Sequence, residues 1–327
     1  RSEGPQLNSS RPDQVRERTG VDEVKPLEAL AEDLREATQV YTPFAPAEGR
    51  EACRDTLLHA RRQIEADPWD QRPSNEQHFR DKLLAACPQL EFADLTPTLD
   101  RMRLHKSSLE IELMRRAGRL TAKAVVEAMR QTAPGRFEFE LAAVADYLYL
   151  RSGARGPGYR PIVASGANIW NAHYYRNDRM LMDGDLVLMD YAPDMGGYTS
   201  DIGRMWPVNG KYTAVQRELY GFVVEYQKVL LRTIRPRQRV SELVQEAAAA
   251  IGPTWEEWPW SKPQYRGAAR AMIDSEVAFT HPVGMAVHDV GEYRGEALQA
   301  GLVFALDPQM WVPDEQLYIR VEDTVVV

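Results

Sequence analysis

Two aspartates raise the question of chemistry in this chain. Asp190 stands inside the apolar run LVLMDYA, and Asp201 follows eleven positions later across a glycine pair, in MDYAPDMGGYTSD. If residues 186 to 208 form a hairpin turning on Met195-Gly196 or Gly196-Gly197, the two carboxylates share one sheet face. They then lie directly opposite or one diagonal apart, with Cβ atoms on the order of 5–8 Å from each other. Like charges so placed repel, and each carboxyl is pushed up in pKa unless a cation stands between them. The plain alternative is one buried, hydrogen-bonded aspartate beside a solvent-facing turn acid.

The last third supplies partners. HPVGMAVHD holds His281 and His288, seven apart, while ALDPQMW and YIRVEDT place Asp307 and Glu322 in apolar, strand-like runs. A carboxylate among apolar residues needs a counter-charge or hydrogen-bond donors. Four carboxylates and one imidazole, with no cysteine among them, make an oxygen-rich donor set. Such a set suits a pair of hard or borderline divalent ions, Mn²⁺ first and Co²⁺ or Zn²⁺ as alternatives. Two ions about 3.5–4 Å apart can share a water and lower its pKa into the working range.

The elements that must position these groups follow from periodicity. Residues 106–133 read as a long amphipathic helix, with Leu109, Leu113, Ala117, Leu120 and Ala124 as its apolar stripe, start signals at Ser107, Ser108 and Glu110, and Pro134-Gly135 at its end. Further helices are expected over 139–154, from near Thr213 and from near Ser241, with strands over 160–166, 186–192 and 197–208 and in the last third. Helices alternating with mostly antiparallel strand blocks indicate an α+β fold. Residues 1 to about 23 read as a mobile polar arm, and helical patches follow over 26–37, 50–66 and 74–87, with few strand signals before residue 90. The expected division is a short, mainly helical and partly disordered N-terminal region over 1–97 and a catalytic domain over 98–327.

Composition narrows the function classes. The net charge of -8 and the sequence pI near 5.4 argue against a nucleic-acid surface, and no apolar run nears the roughly 18 residues of a membrane helix. Two cysteines without C-x-x-C spacing cannot build a disulfide framework. The chain opens on RSEGPQLNSS without a Met, so the native start is expected to be removed, cleaved or left out, and no signal-peptide pattern is legible. The expected location is cytoplasmic, with an exported form whose signal has been removed as the alternative.

The order Asp, Asp, His, acid, Glu, carried by LVLMDYAPDMGGYTSDIGRMWPVNG, HPVGMAVHDVG and LYIRVEDTVVV, resembles the metallopeptidase family of aminopeptidase P, prolidase and methionine aminopeptidase. KSSLEIELMRRA and ASGANIWNAHYYRNDR bring it closest to the aminopeptidase P and Xaa-Pro dipeptidase branch. The resemblance covers about residues 100–327 and implies a pita-bread catalytic domain, a curved and mostly antiparallel sheet with flanking helices. It implies that Asp190 binds one ion, Asp201 bridges both, His281 binds the other, Glu322 bridges from a far strand and Asp307 takes the remaining carboxylate position as ligand and proton shuttle. His173 and His288 would flank the substrate and stabilise the oxyanion, and Arg320 would steady the carboxylates. The implied activity is hydrolysis of an N-terminal residue or dipeptide from a peptide, at an Xaa-Pro bond, by a metal-bridging hydroxide. A homodimer is also implied. The alternatives are a non-peptide C–N hydrolase or lyase on the same fold, and a non-catalytic member that binds a peptide or partner.

Three departures from the family pattern stand out. Asp307 replaces the usual Glu and is shorter by one C–C bond, roughly 1.5 Å. Val277 occupies the position, four before His281, where the branch carries a His that frames the proline side. The N-terminal part is short for the branch's α/β domain, and both ends are expected to be incomplete. The Trp-rich stretch WEEWPWSKPQY (255–265) reads as core or subunit packing, with a substrate rim as the alternative.

Overall fold

The computed structural model describes residues 7–49 and 52–327. Its contacts divide the chain into two units: residues 1–46 with 60–97, and residues 47–59 with 98–327. The division therefore departs from a boundary at residue 97, because residues 47–59 go with the larger unit.

The smaller unit holds α1 (Pro12–Thr19), a 3-10 turn leading into α2 (Leu30–Asp33), β1 (Gln39–Thr42), the later turns of α3 (Arg54–Ala66), α4 (Asn75–Ala86) and β2 (Glu91–Asp94). The expected mobile arm is corrected here over α1, which Pro12 opens at its first turn and Gly20 closes in the left-handed conformation (φ 73°). The region is mainly helical, and it adds two short strands that the sequence did not signal: β1 and β2 pair in parallel from Gln39–Glu91 to Thr42–Asp94. The helix expected over 26–37 shrinks to the 3-10 turn and α2. Ser74 caps α4, its hydroxyl accepting from Gln77 N–H at 3.1 Å. Leu83, Cys87 and Leu90 form the local core, against which Leu30, Leu34, Val40 and Phe92 pack.

The larger unit runs α5 (Thr96–Leu104), α6 (Ser108–Gln131), α7 (Glu138–Arg151), β3 (Ile162–Ser165), β4 (Leu186–Asp190), β5 (Gly203–Pro207), α8 (Ala214–Thr233), α9 (Val240–Glu257), α10 (Pro263–Ile273), β6 (Phe279–Pro282), β7 (Val303–Leu306), β8 (Gln309–Val312), β9 (Leu317–Arg320) and β10 (Asp323–Val326). Both long helices that sequence predicts begin in capping boxes. Ser107 and Glu110 exchange side-chain-to-backbone bonds at the start of α6, and Thr213 and Gln216 do so at α8. The buried stripe of α6 runs from Met114 through Ala117, Leu120, Ala124 and Ala128. Leu109, expected on that stripe, is 79% exposed because it sits in the free first turn.

Strands β3, β4 and β5 form an antiparallel sheet with β4 in the middle. One face, Ala164, Leu186, Leu188 and Met205, packs into the core built by α8, α9 and α10; the other, Val163, Val187, Met189 and Trp206, packs against α6 and α7. Burial on both faces is why LVLM is continuously apolar rather than alternating. Asp190 continues the face of Leu186 and Leu188. Trp258 and Trp260 pack edge-on against Phe222, with ring centroids 5.2 and 4.8 Å away, so the Trp-rich stretch serves the core. A second sheet has the order β10-β7-β6, and β8 pairs with β9.

Candidate metal centre

The turn between the two aspartates falls on Gly196-Gly197, both at positive φ (70° and 91°), with Met195 and Tyr198 bonded across it. Two successive positive-φ residues make the type I′ geometry that matches strand twist and that glycine adopts without strain. The ladder of β4 and β5 ends at the pairing of Asp190 with Gly203, which keeps the same count as Met195 with Tyr198, while residues 191–202 between them belong to no strand. Asp201, two residues before Gly203, is therefore one diagonal from Asp190 on the same face. It precedes β5, which begins at Gly203 rather than at 197 as the sequence suggested.

Glu322 arrives from the other sheet. Gly203 and Glu322 exchange backbone bonds of 3.2 and 3.0 Å, and the Thr324 hydroxyl accepts from Asp201 N–H at 2.6 Å. A side chain at 203 would crowd this carboxylate, since a Cβ there would stand 3.2 Å from Glu322 Oε2 and 3.3 Å from its Cβ. Asp307 leaves the end of β7, and His281 lies in β6. Asp190, Asp201, Asp307 and Glu322 are each at most 4% exposed, and Asp201, His281 and Glu322 offer ligand atoms within 4.8 Å of one another.

One guanidinium serves three of these carboxylates. Arg320 donates to Asp307 Oδ1 at 3.1 Å and to Asp190 Oδ2 at 3.2 Å, and also touches Glu322. Burial opposes its charge, yet Asp307, Tyr318 and Asp190 hold it well above its ordinary pKa. Tyr159 gives one hydroxyl to two acceptors, Asp190 Oδ1 at 2.7 Å and Asp201 Oδ1 at 3.2 Å. Burial, then the neighbouring Asp190, pushes Asp201 well above the carboxylate range. Asp307 is also raised by burial, against the pull of Arg320 and Gln309. Both its oxygens are taken, since Gln309 Nε2 donates to Oδ2.

His281 Nδ1 lies 3.1 Å from the Pro282 carbonyl, an acceptor, so this nitrogen carries the proton. Burial lowers the ring's pKa to about 3, which leaves Nε2 with a lone pair, and Nε2 faces Asp201 Oδ2 at 3.5 Å. With Asp201 ionised, two acceptors face each other in a buried cluster of carboxylates, an arrangement that fits a divalent cation between them. A backbone carbonyl on the far ring nitrogen is also the usual arrangement behind an imidazole ligand.

Three imidazoles stand together: the His281 and His288 rings are 3.9 Å apart and the His288 and His173 rings 5.5 Å. Residues 47–59 bring Asp55 onto this wall, its carboxylate 2.7 Å from His288 Nδ1. That bond draws the Asp55 carboxyl down to about 2. The segment is pinned by Arg54 to Asp100 (2.7 Å) and Glu48 (3.1 Å), and by Arg103 from Glu48 (3.0 Å) to buried Asp289. The loop carrying His173 is anchored by Glu138, a fully buried carboxylate that accepts from Ser165 N–H (2.6 Å), Ser165 Oγ (2.7 Å), Asn168 (3.2 Å) and Arg179 N–H (3.0 Å). A cleft of about 140 Å³ is lined by His173, Tyr175, Asp190, Asp201 and His288, with Cys53, Asp55 and Arg160 among its other walls.

The structure thus gathers every candidate from the sequence: Asp190, Asp201, His281, Asp307 and Glu322, with His173, His288 and Arg320 around them. Tyr159, Asp55, Glu138 and Gln309 were not singled out. Their only mark in the sequence is polarity near apolar runs, and their partners are distant. Val277, four residues before His281, is 55% exposed.

Residues 112–327 match the model of metallopeptidase family M24, and the chain belongs to that family. Its sheets and flanking helices are the pita-bread arrangement of that family's solved structures. Over 256 residues it is 36% identical to the Xaa-Pro aminopeptidase of Escherichia coli K12, covering 72% of this chain and 56% of that protein. Over 330 residues it is 32% identical to Xaa-Pro aminopeptidase 3 of Mus musculus, covering 94% and 60%. The structure of zinc-substituted E. coli aminopeptidase P in complex with product aligns with a TM-score of 0.72 at 31% identity, over 97% of this chain and 72% of that one. The chain thus spans less than two thirds of the length of these curated relatives.

Proposed function

We propose that this chain is a dinuclear-metal-dependent peptidase that hydrolyses an N-terminal residue or dipeptide from peptides at an Xaa-Pro bond. The observation that carries the reading is the facing pair of acceptors, His281 Nε2 and Asp201 Oδ2 at 3.5 Å, in a cluster of buried carboxylates with a single guanidinium among them. The family and the names of the relatives support it.

Asp190, Asp201, His281, Asp307 and Glu322 would hold two divalent ions, Mn²⁺ first. Bound there, the ions supply Lewis acidity and a water acidic enough to be a nucleophile near neutral pH. Arg320 and Tyr159 fix the directions of the carboxylates, which keeps the ligand oxygens from re-orienting during turnover. His288, held at Nδ1 by Asp55, lines the cleft, where with His173 it would orient the scissile carbonyl and stabilise the oxyanion. Asp307, capped on both oxygens, holds its place in the cluster despite its shorter side chain. An exposed Val277 adds no imidazole on the proline side, so proline preference rests on the other cleft walls.

The test is to strip the protein of metal, restore Mn²⁺, Co²⁺ or Zn²⁺ singly, and assay Xaa-Pro peptides beside small amides. Cleavage of the peptides, with about two ions per chain lost in Asp190→Asn, is the expected result. Cleavage of amides alone would move the assignment to a C–N hydrolase, and no cleavage with any metal would end the peptidase reading.

A further inference from the structure

The same cleft carries a guanidinium that the metal chemistry does not use. Arg160 follows Tyr159, lines the cleft, and lies over the Tyr175 ring with its Cζ 4.7 Å from the centroid. Tyr175 in turn stacks on His173 with centroids 6.0 Å apart and planes 17° from parallel. The rings of His281, His288, His173 and Tyr175 therefore form a continuous wall leading from a ligand of the proposed centre to this cation.

Arg160 is the only lysine or arginine among the side chains that line this cleft, and among the described residues it forms no ion pair with a carboxylate. The carboxylates that share the cleft are otherwise engaged: Asp55 with His288, and Asp190 and Asp201 with Tyr159. A guanidinium held over an aromatic ring by its Cζ does not spend its N–H groups on that contact, and their fork matches a carboxylate in two-point fashion. The aromatic contact also fixes its direction, which lowers the entropy lost when a ligand is gripped.

We infer that Arg160 is a specificity residue that recognises a carboxylate on the substrate, beyond the bond presented to the metal centre. The inference rests on the peptidase reading for what enters the cleft. The recognised group is the C-terminal carboxylate of a short peptide or an acidic side chain of a longer one.

Three peptides with one Xaa-Pro start separate these sources: a free-acid tripeptide, its C-terminal amide, and an amidated peptide with Asp at the third position. Wild-type protein should favour the free acid, or both acids, over the plain amide by about tenfold in KM, with kcat little changed. Arg160→Gln should erase that preference and leave the plain amide unaffected, and Arg160→Lys should restore part of it. Which acid is preferred names the source, and either result supports the assignment. Equal KM for all three peptides in wild type, or an acid preference that survives in Arg160→Gln, would overturn it. Calorimetric binding of non-cleavable versions of the same peptides gives the same comparison without turnover. If no peptide is cleaved, the peptidase reading fails, while the acid-to-amide ratio in binding still decides the role of Arg160.

Discussion

Tyr159 has one proton to give and two carboxylates to receive it, at 2.7 and 3.2 Å. Removing the hydroxyl with Tyr159→Phe leaves Asp190 Oδ1 without that donor while keeping the ring that packs edge-on to Tyr191. Partners of this kind are worth roughly 10–100-fold in metal affinity. Calorimetric titration of the variant with Mn²⁺ should show a loss in that range, and unchanged affinity would demote Tyr159 to packing. The acids themselves were legible because their setting made them conspicuous: a carboxylate in LVLMDYA or YIRVEDT is costly unless something compensates. Tyr159 and Asp55 carried no such mark. A tyrosine beside glycines and an aspartate in a polar helix start are ordinary, and what gives them meaning is contacts 31, 42 and 233 positions away.

Among the elements, the one that delivers His173 depends on a single buried acid. Glu138 collects donors from both ends of the loop between β3 and β4, two of them backbone N–H groups. Glu138→Gln keeps the shape but turns an amide N–H₂ toward at least one donor, leaving buried groups unpaired at a cost of about 1–3 kcal/mol. Urea denaturation should report that loss as a lower midpoint at unchanged slope, and an unshifted midpoint would contradict the anchoring role. Helix starts were easy to read, since Ser107 with Glu110 and Thr213 with Gln216 are local patterns. The strands β1 and β2 were not. Each is four residues long and at best half-buried, so neither shows the apolar signature of a covered strand. The Leu109 error has a similar origin, because spacing places a residue on a face without saying where the neighbour that covers the face begins.

For the molecule as a whole, the concentration of buried carboxylates makes stability depend on what neutralises them. Ions that bind the folded chain and not the unfolded one stabilise it by mass action, about 2.7 kcal/mol at a hundredfold excess over Kd. Thermal unfolding with a chelator should therefore give a clearly lower Tm than unfolding with Mn²⁺, and re-addition should restore it. A Tm indifferent to both would show that the cluster is neutralised by protons and Arg320 alone. The larger unit drew attention at this scale because its motifs are spread along residues 100–327. The membership of residues 47–59 was hidden, because the bonds from Glu48 and Arg54 to Arg103 and Asp100 join positions about fifty residues apart.

The glycine turn at 196–197 also bears on how this stretch can change over generations. Residues added at its tip can be looped out with the pairing below untouched. One residue added on either arm, between Asp190 and Met195 or between Tyr198 and Asp201, would break the count that the turn shares with the Asp190–Gly203 pair. Length variation in descendants of this sequence should therefore collect at the tip, and both arms should keep their present count. The spacing of the two acids is inherited as a number as much as a pair of residues.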